Sequence, residues 1–402
     1  MSKILFLPDM EEGHIFPSFG LMNKLQNHGH EVLFLGNPDI IKYPKAEGFE
    51  CRTIFEDIYP EGYQNTVRKA LATNQQVQRK HLIPMLNGVL DEIIETEAPD
   101  ILMVSFFLPL EALIIKYRYP DIPLVIFQTF FRDPDQGPFQ QVINSIMELT
   151  GDEPEFMLEL LQSVQEMGIQ YQSLEDLAAP LKNVLEVLPC PKEFDSLHED
   201  RGPNFIYAGA GMGQNQKQES QKAFPVTGKK VILVSLGSQI SSYAKNVTSV
   251  FEKIISLMDN PWFKDFEMIV TIGREIEVDS FKNVPENVQI HNWIPQRQLL
   301  EKAELAIIHG GLGTIKECIN CKVPMIVLPM GRDQYKNAER ITKLNIGDAI
   351  NVNELATNQI EKTAKEILLS TGIADNLLKM HELFKEKDQS DPIAALIKEI
   401  VV

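Results

Sequence analysis

Two stretches of the chain alternate short β-branched apolar runs with amphipathic segments of helical period, and a polar Gly- and Gln-rich segment separates them. In the first stretch, residues 3–7 and 31–35 read as strands. Between them Ile15, Phe19, Met22 and Leu25 recur at helical spacing, and Gly29 suits the stop of that helix. Apolar runs at 101–104 and 124–127, each entered through a Pro-containing turn, predict further buried strands, and the pattern from about 133 to 188 is helical. The second stretch predicts strands at 231–235, 267–271, 288–291, 305–309 and 325–328, with helices at about 247–258, 314–320 and 337–344 and a helical tail from about 357. Strand–helix alternation of this kind builds parallel sheets, so an α/β architecture of two layered domains is expected. The expected boundaries are 1–208, a linker at 209–228 and a second domain at 229–402, whose terminal helix can pack back on the first domain. Ligands of such sheets sit beyond the C-terminal ends of the strands, here in a cleft between the domains.

Composition narrows the function. A net charge of −18 over 402 residues repels phosphate backbones and anionic lipid, which argues against nucleic-acid binding but leaves room for a local phosphate pocket. Four cysteines are too few for a disulfide framework and fit a reducing compartment. The opening residues lack the apolar core and cleavage site of a signal peptide, and no run approaches the ~20 apolar residues of a membrane span. A soluble cytoplasmic protein is expected.

The densest chemistry lies in the second stretch. Residues 305–314, Leu-Ala-Ile-Ile-His-Gly-Gly-Leu-Gly-Thr, read as strand, glycine turn and helix start. Glycines let the backbone approach a ligand, and a helix N-terminus offers unpaired N–H groups to a diphosphate. His309 and Thr314 can add side-chain donors. Glu317, one turn into the helix, suits the vicinal hydroxyls of a ribose. Asp333 and Gln334, beyond the next strand, can grip sugar hydroxyls, and Trp293 offers an aromatic plane to a base.

These residues carry a resemblance. Trp293-x-Pro295-Gln296, then His309-x-Gly311, Glu317, Val323-Pro324 and Asp333-Gln334-x-x-Asn337-Ala338 are similar, in order and spacing, to the donor signature of family 1 glycosyltransferases, the UDP-glycosyltransferase superfamily, including its bacterial macrolide and natural-product members. Gly13-His14-x-x-Pro17, Gly29-His30-x-Val32 and Ser235-Leu-Gly237-Ser238 resemble the family's openings of its two domains. The likeness is weakest at about 50–95 and 133–200, where acceptors are usually chosen.

The resemblance implies a GT-B-like fold, two Rossmann-like domains facing each other across a cleft. It implies an inverting, metal-independent transferase that moves a sugar from a UDP-sugar cosubstrate to a hydroxyl of a lipophilic small molecule, with no other cofactor. In it Trp293 stacks on the base and the backbone of Ile294 reads the base edge. Glu317 holds the ribose, Ser238, His309, Gly313 and Thr314 bind the diphosphate, and Gln296 and Gly311 are further donor-binding residues. Asp333 and Gln334 hold the sugar, with Gln334 pointing to UDP-glucose while dTDP-sugars stay open. His14 is the general base, and a histidine after the first strand of such a sheet suits that role independently. Phe106 and Phe130 are candidate acceptor contacts.

Some positions depart from the family. Cys318 and Lys322 replace the usual Ala and Gly, and Ser105 stands where the family's Asp orients the catalytic histidine. Without an acid there, either another carboxylate substitutes, or the acceptor hydroxyl ionises easily, or the enzyme is slow. Glu111 is expected to point elsewhere. The Cys318-x-x-Cys321 pair lacks the second pair of a zinc site and reads as helix packing. A retaining mechanism is disfavoured because His309 holds the place of its upstream Glu. Two other readings remain, a catalytically impaired nucleotide-sugar-binding partner and a nucleotide-sugar 2-epimerase.

Overall fold

The computed structural model describes residues 1–72, 79–211, 224–237, 240 and 247–389. They form two compact units. One holds Met1–Cys190 and 199–211, the other Pro191–His198 and the described residues from 224 on.

The first unit is built on a seven-stranded parallel sheet. Its strands are β1 (Lys3–Leu7), β2 (Glu31–Gly36), β3 (Glu50–Thr53), β4 (Ile101–Ser105), β5 (Leu124–Phe127), β6 (Leu185–Leu188) and β7 (Phe205–Tyr207), in the order β3-β2-β1-β4-β5-β6-β7. Both faces are buried, as parallel strands require. Along β1, Ile4 and Phe6 face one core and Leu5 and Leu7 the other. Phe6 packs edge-on against Phe34 of β2 and Phe127 of β5, with ring centroids 5.3 and 5.4 Å away, which locks the sheet centre. Helices Pro138–Asp152, Pro154–Glu166 and Leu174–Ala178 occupy most of the span read as helical, but its end, Leu185–Leu188, is strand β6.

Three strands of this sheet escape the hydrophobic pattern. β3 (ECRT) is an edge strand without an apolar run, and β7 is only three residues long. β6 (LEVL) carries a buried charge: Glu186 accepts from Arg132 Nε at 2.6 Å and from Gln128 Nε2 at 2.7 Å.

The second unit has a six-stranded parallel sheet of β8 (Lys230–Ser235), β9 (Phe266–Thr271), β10 (Val288–His291), β11 (Ala303–Ile308), β12 (Met325–Val327) and β13 (Gly347–Ala349). The order is β10-β9-β8-β11-β12-β13. One face of β8, β9 and β11 contributes Ile232, Val234, Met268, Val270, Leu305 and Ile307 to a core shared with Phe251 and Phe263. The expected strand at 305–309 stops at Ile308, so His309 belongs to the turn, and the helix behind it starts at Leu312. The helix expected at 337–344 begins earlier, at Gln334. Between 247 and 258 the helix Val247–Ile255 tightens into a 3₁₀ turn over Ser256–Asp259. β13 (GDA) has no apolar signature at all.

Each sheet has one place where neighbouring strands send their following connections in opposite directions. In the first it lies between β1 and β4, in the second between β8 and β11. Loops diverge at such a point and leave a crevice beyond the strand ends.

Candidate functional site

At the β1/β4 point, Pro8 lacks an N–H and ends the ladder, and a short loop leads into a single helical turn, Glu12–Ile15, that carries His14. His14 Nδ1 lies 3.0 Å from both carboxylate oxygens of Asp9. Asp9 is buried, and its oxygens also accept the Glu11 backbone N–H at 2.8 Å and the Ser105 hydroxyl at 2.6 Å. The side chain at the end of β4 thus reaches across to the loop after β1. Phe107 stacks face to face on the His14 ring, with centroids 3.9 Å apart and planes 6° apart, and Phe107 in turn stacks on Phe130 at 5.4 Å. Phe107 is 37% exposed, as is Phe16, two residues after the histidine.

Of the alternatives that Ser105 left open, the structure shows the first: another carboxylate, Asp9, lies against His14 from the histidine's own loop. Glu111 does point elsewhere. It is buried and accepts from His81 Nε2 at 2.6 Å, while His81 Nδ1 meets the Tyr59 hydroxyl at 2.6 Å. Burial raises Tyr59, and the partnership with His81 holds Glu111 below its ordinary range against a desolvation that pushes it up. Of the expected acceptor contacts, Phe106 is buried in the core and Phe130 is half-buried. The sequence reading gave Asp9 no role. The available signal was an acid a few residues before the histidine, in the same strand-to-helix loop.

At the β8/β11 point, the turn His309–Gly311 leads into the helix Leu312–Cys321. Gly310 has φ +95°, and a Cβ there would fall 2.7 Å from Val327 Cγ1. A Cβ on Gly311 would fall 2.6 Å from His309 Nε2, and one on Gly237, at φ +86°, 3.0 Å from the same atom. The imidazole is thus sandwiched between two glycines. Burial pulls the His309 pKa down to about 4 against a smaller opposing hydrogen bond with the Ser235 backbone, so the ring is neutral at pH 7. A neutral imidazole can donate its one ring N–H to a diphosphate.

Gly313 and Thr314 lie in the first turn of that helix, half-buried, where the dipole and free N–H groups favour an anion. Glu317 follows one turn later. Gln296 Nε2 donates to its Oε2 at 2.6 Å, and Ser235 Oγ donates to Gln296 Oε1 at 2.6 Å. Trp293 is 59% exposed beside buried Ile294, in a loop that Asn292 holds by donating to the carbonyls of Gly273 and Ile276 at 2.8 and 2.7 Å. An exposed indole on a pinned loop is an available stacking plane.

Beyond β12, burial pushes the Asp333 carboxyl up from its ordinary value, and Asn337 Nδ2 donates to its Oδ2 at 2.8 Å. The same nitrogen donates to the Gly310 carbonyl at 2.9 Å, which ties the glycine turn to the Asp333 loop. Arg340, fully buried, holds Asn337 Oδ1 at 3.2 Å and Asp195 Oδ1 at 3.0 Å. Gln334 is buried and accepts the Met330 N–H at 2.8 Å, so its carbonyl faces its own loop. Ser238 lies outside the described residues. Cys318 is buried and Cys321 half-buried on the helix, where burial raises both thiols. Among the described residues no group of three or more His, Cys, Asp or Glu could hold a metal ion, and no helix is long and apolar enough to cross a membrane.

Residues 256–400 match the family model described as Erythromycin biosynthesis protein CIII-like, C-terminal domain. Over 393 residues the chain is 23% identical to the NDP-glycosyltransferase YjiC of Bacillus subtilis (strain 168), covering 96% of this chain and 94% of that one. The chain is a glycosyltransferase. Its GT-B fold is shared with solved structures of this class. The glycotransferase of kitacinnamycin superposes with a TM-score of 0.74 at 22% identity, covering 99% of this chain and 98% of that one. The spinosyn rhamnosyltransferase SpnG, solved with thymidine diphosphate, gives a TM-score of 0.65 at 20% identity over the full length of both.

Proposed function

We propose that this glycosyltransferase moves a sugar, read as glucose, from a UDP-sugar to a hydroxyl of a lipophilic small molecule, with inversion and without a metal. The observation that carries the reading is the β8/β11 crevice. A carboxylate aligned by Gln296, a neutral imidazole and a helix N-terminus follow β11, and an exposed indole lies three residues before Gln296, groups that suit a ribose, a diphosphate and a base. SpnG, the structural relative solved with thymidine diphosphate, has also been solved with its spinosyn aglycone, which supports a nucleotide-sugar donor and a small-molecule acceptor here.

In this reading Trp293 stacks on uracil, Ile294 meets its edge through the backbone, and Glu317 accepts from both ribose hydroxyls. His309, the turn glycines, Thr314 and the helix N-terminus donate hydrogen bonds to the diphosphate. Asp333, in the loop shaped by Gln334 and Asn337, holds the sugar. The acceptor O–H gives its proton to His14, its oxygen bonds to the anomeric carbon, and the bond to phosphate breaks with its electron pair leaving on UDP. Attack opposite the leaving group inverts the anomeric centre, through the oxocarbenium-like transition state common to glycosyl chemistry. The reading of a catalytically silent partner rested on Ser105, and Asp9 beside His14 removes that support. A 2-epimerase would leave Trp293 and Asp333 without a task.

Calorimetric titration with UDP tests the donor site. Two charge-assisted hydrogen bonds at roughly 1.5–3 kcal/mol each predict at least a tenfold loss of affinity in Glu317→Ala. Equal affinity of the variant and the wild type would remove the ribose assignment and the reading with it.

A further inference from the structure

The hydrogen bonds around Asp9 run in one direction. The Phe107 backbone N–H approaches Ser105 Oγ at 3.4 Å, which leaves the Ser105 proton to point at Asp9 Oδ2, 2.6 Å away. The Glu11 N–H is committed to Asp9 Oδ1 at 2.8 Å. A buried carboxylate receiving two donors can only accept from a third neighbour, and the third is His14 Nδ1, equidistant from its two oxygens. The carboxylate therefore fixes the Nδ1–H tautomer and leaves Nε2 with a free lone pair. The parallel face of Phe107 restricts rotation of the ring about the same axis.

We infer that Asp9 is the positioning residue of His14, held in place by the Ser105 hydroxyl, and that this displaced acid equips the enzyme for unactivated alcohols as well as phenols. The inference rests on His14 being the base. In the step itself the acceptor proton passes to Nε2, the imidazolium so formed keeps Nδ1–H on Asp9, and its charge faces both the carboxylate and the Phe107 π-face. An acceptor that does not ionise unaided needs that stabilisation most. Ser105 is then no lost acid but the anchor of one that enters from the other side of the strand-order reversal. A carboxylate at 105 would abut that of Asp9, so Ser105→Asp in the otherwise unchanged protein is expected to lower activity, whereas the same change should compensate for Asp9→Asn.

The test has a spectroscopic arm that needs no turnover. Long-range nitrogen–proton spectra of the ¹⁵N-histidine-labelled full chain report which ring nitrogen of His14 carries the proton, with His14→Gln assigning the signal. The wild type is expected to show Nδ1–H, and Asp9→Asn, whose amide can donate, to show the other tautomer or a mixture. An Nε2–H tautomer in the wild type, or no change in Asp9→Asn, overturns the inference. The kinetic arm uses UDP-glucose with naphthol and naphthalenemethanol as probes. Asp9→Asn is expected to lower kcat on the alcohol on the order of 10²–10⁴-fold and on the phenol less, with UDP affinity unchanged. Asp9→Asn/Ser105→Asp is expected to regain part of the alcohol rate. An equal, unrescued loss on both acceptors assigns Asp9 a purely structural part and overturns the inference. If His14→Ala turns over the alcohol like the wild type, the base assignment itself fails, and the spectra distinguish that outcome from failure of the Asp9 contact.

Discussion

Asp9, Glu317 and His309 show three ways in which a neighbour decides what a side chain can do. Asp9 is buried and collects donors, so it acts on the histidine that sits over it. Glu317 is aligned by Gln296, itself held by Ser235, so Gln296→Ala should weaken UDP binding in the same direction as Glu317→Ala but by less, which titration of the two variants side by side would show. His309 is pulled down to about pKa 4 because burial penalises its charged form. The unfolded imidazole binds a proton near pH 6.5 and the folded one only near 4. This residue's share of stability is therefore intact above about pH 6.5 and is lost as pH falls toward 4. Thermal melts between pH 4 and 7 should show a shallower acid loss in His309→Gln than in the wild type, and parallel curves would contradict the assignment. At this scale the sequence was partly legible. His14, Glu317 and Trp293 stand out by motif, but Asp9 does not, because its role depends on Ser105, which folding brings within 2.6 Å across the sheet.

The turns and caps of the second unit carry strain that the motif positions explain. Lys322 ends the helix Leu312–Cys321 at φ +58°, the left-handed conformation, with the Val323 N–H on the Cys318 carbonyl. A glycine adopts that conformation at the C-terminal cap without the cost a Cβ brings. Lys322→Gly should stabilise the protein by about 1 kcal/mol, read as a higher midpoint in urea unfolding. Unchanged or lower stability would contradict the cap argument. Gly310→Ala should act in the opposite sense, losing roughly 1–3 kcal/mol, because φ +95° and a 2.7 Å approach to Val327 leave no room for a Cβ. Elements were legible where apolar runs were long, as in β1, β4, β8 and β9. They were not legible in β3 and β13, whose short polar strands are held by their neighbours' ladders rather than by their own burial, or in β7, whose three residues are too few to show a period. The helix Leu312–Cys321 begins before its expected start because Gly311 serves as its N-cap, a position that carries no hydrophobic signal.

Across the whole molecule the same rule appears twice. Each sheet reverses its strand order once, and each reversal carries one half of the proposed chemistry, a base with its acid in the first unit and the donor cradle in the second. That arrangement was legible in outline, since strand–helix alternation predicts parallel sheets and their ligands lie beyond strand ends. The residues that choose the acceptor were not, because a phenylalanine gives the same signal whether it is core, like Phe106, or an exposed stacking face, like Phe107. The most direct measurement of the central claim is proton NMR of the product formed from UDP-glucose and naphthalenemethanol by the wild type and by His14→Ala. The account predicts a β-glucoside, formed with inversion of the α-linked donor, at a rate that falls roughly 10²–10⁴-fold in the variant. An α-glucoside, or an undiminished rate without His14, would contradict it.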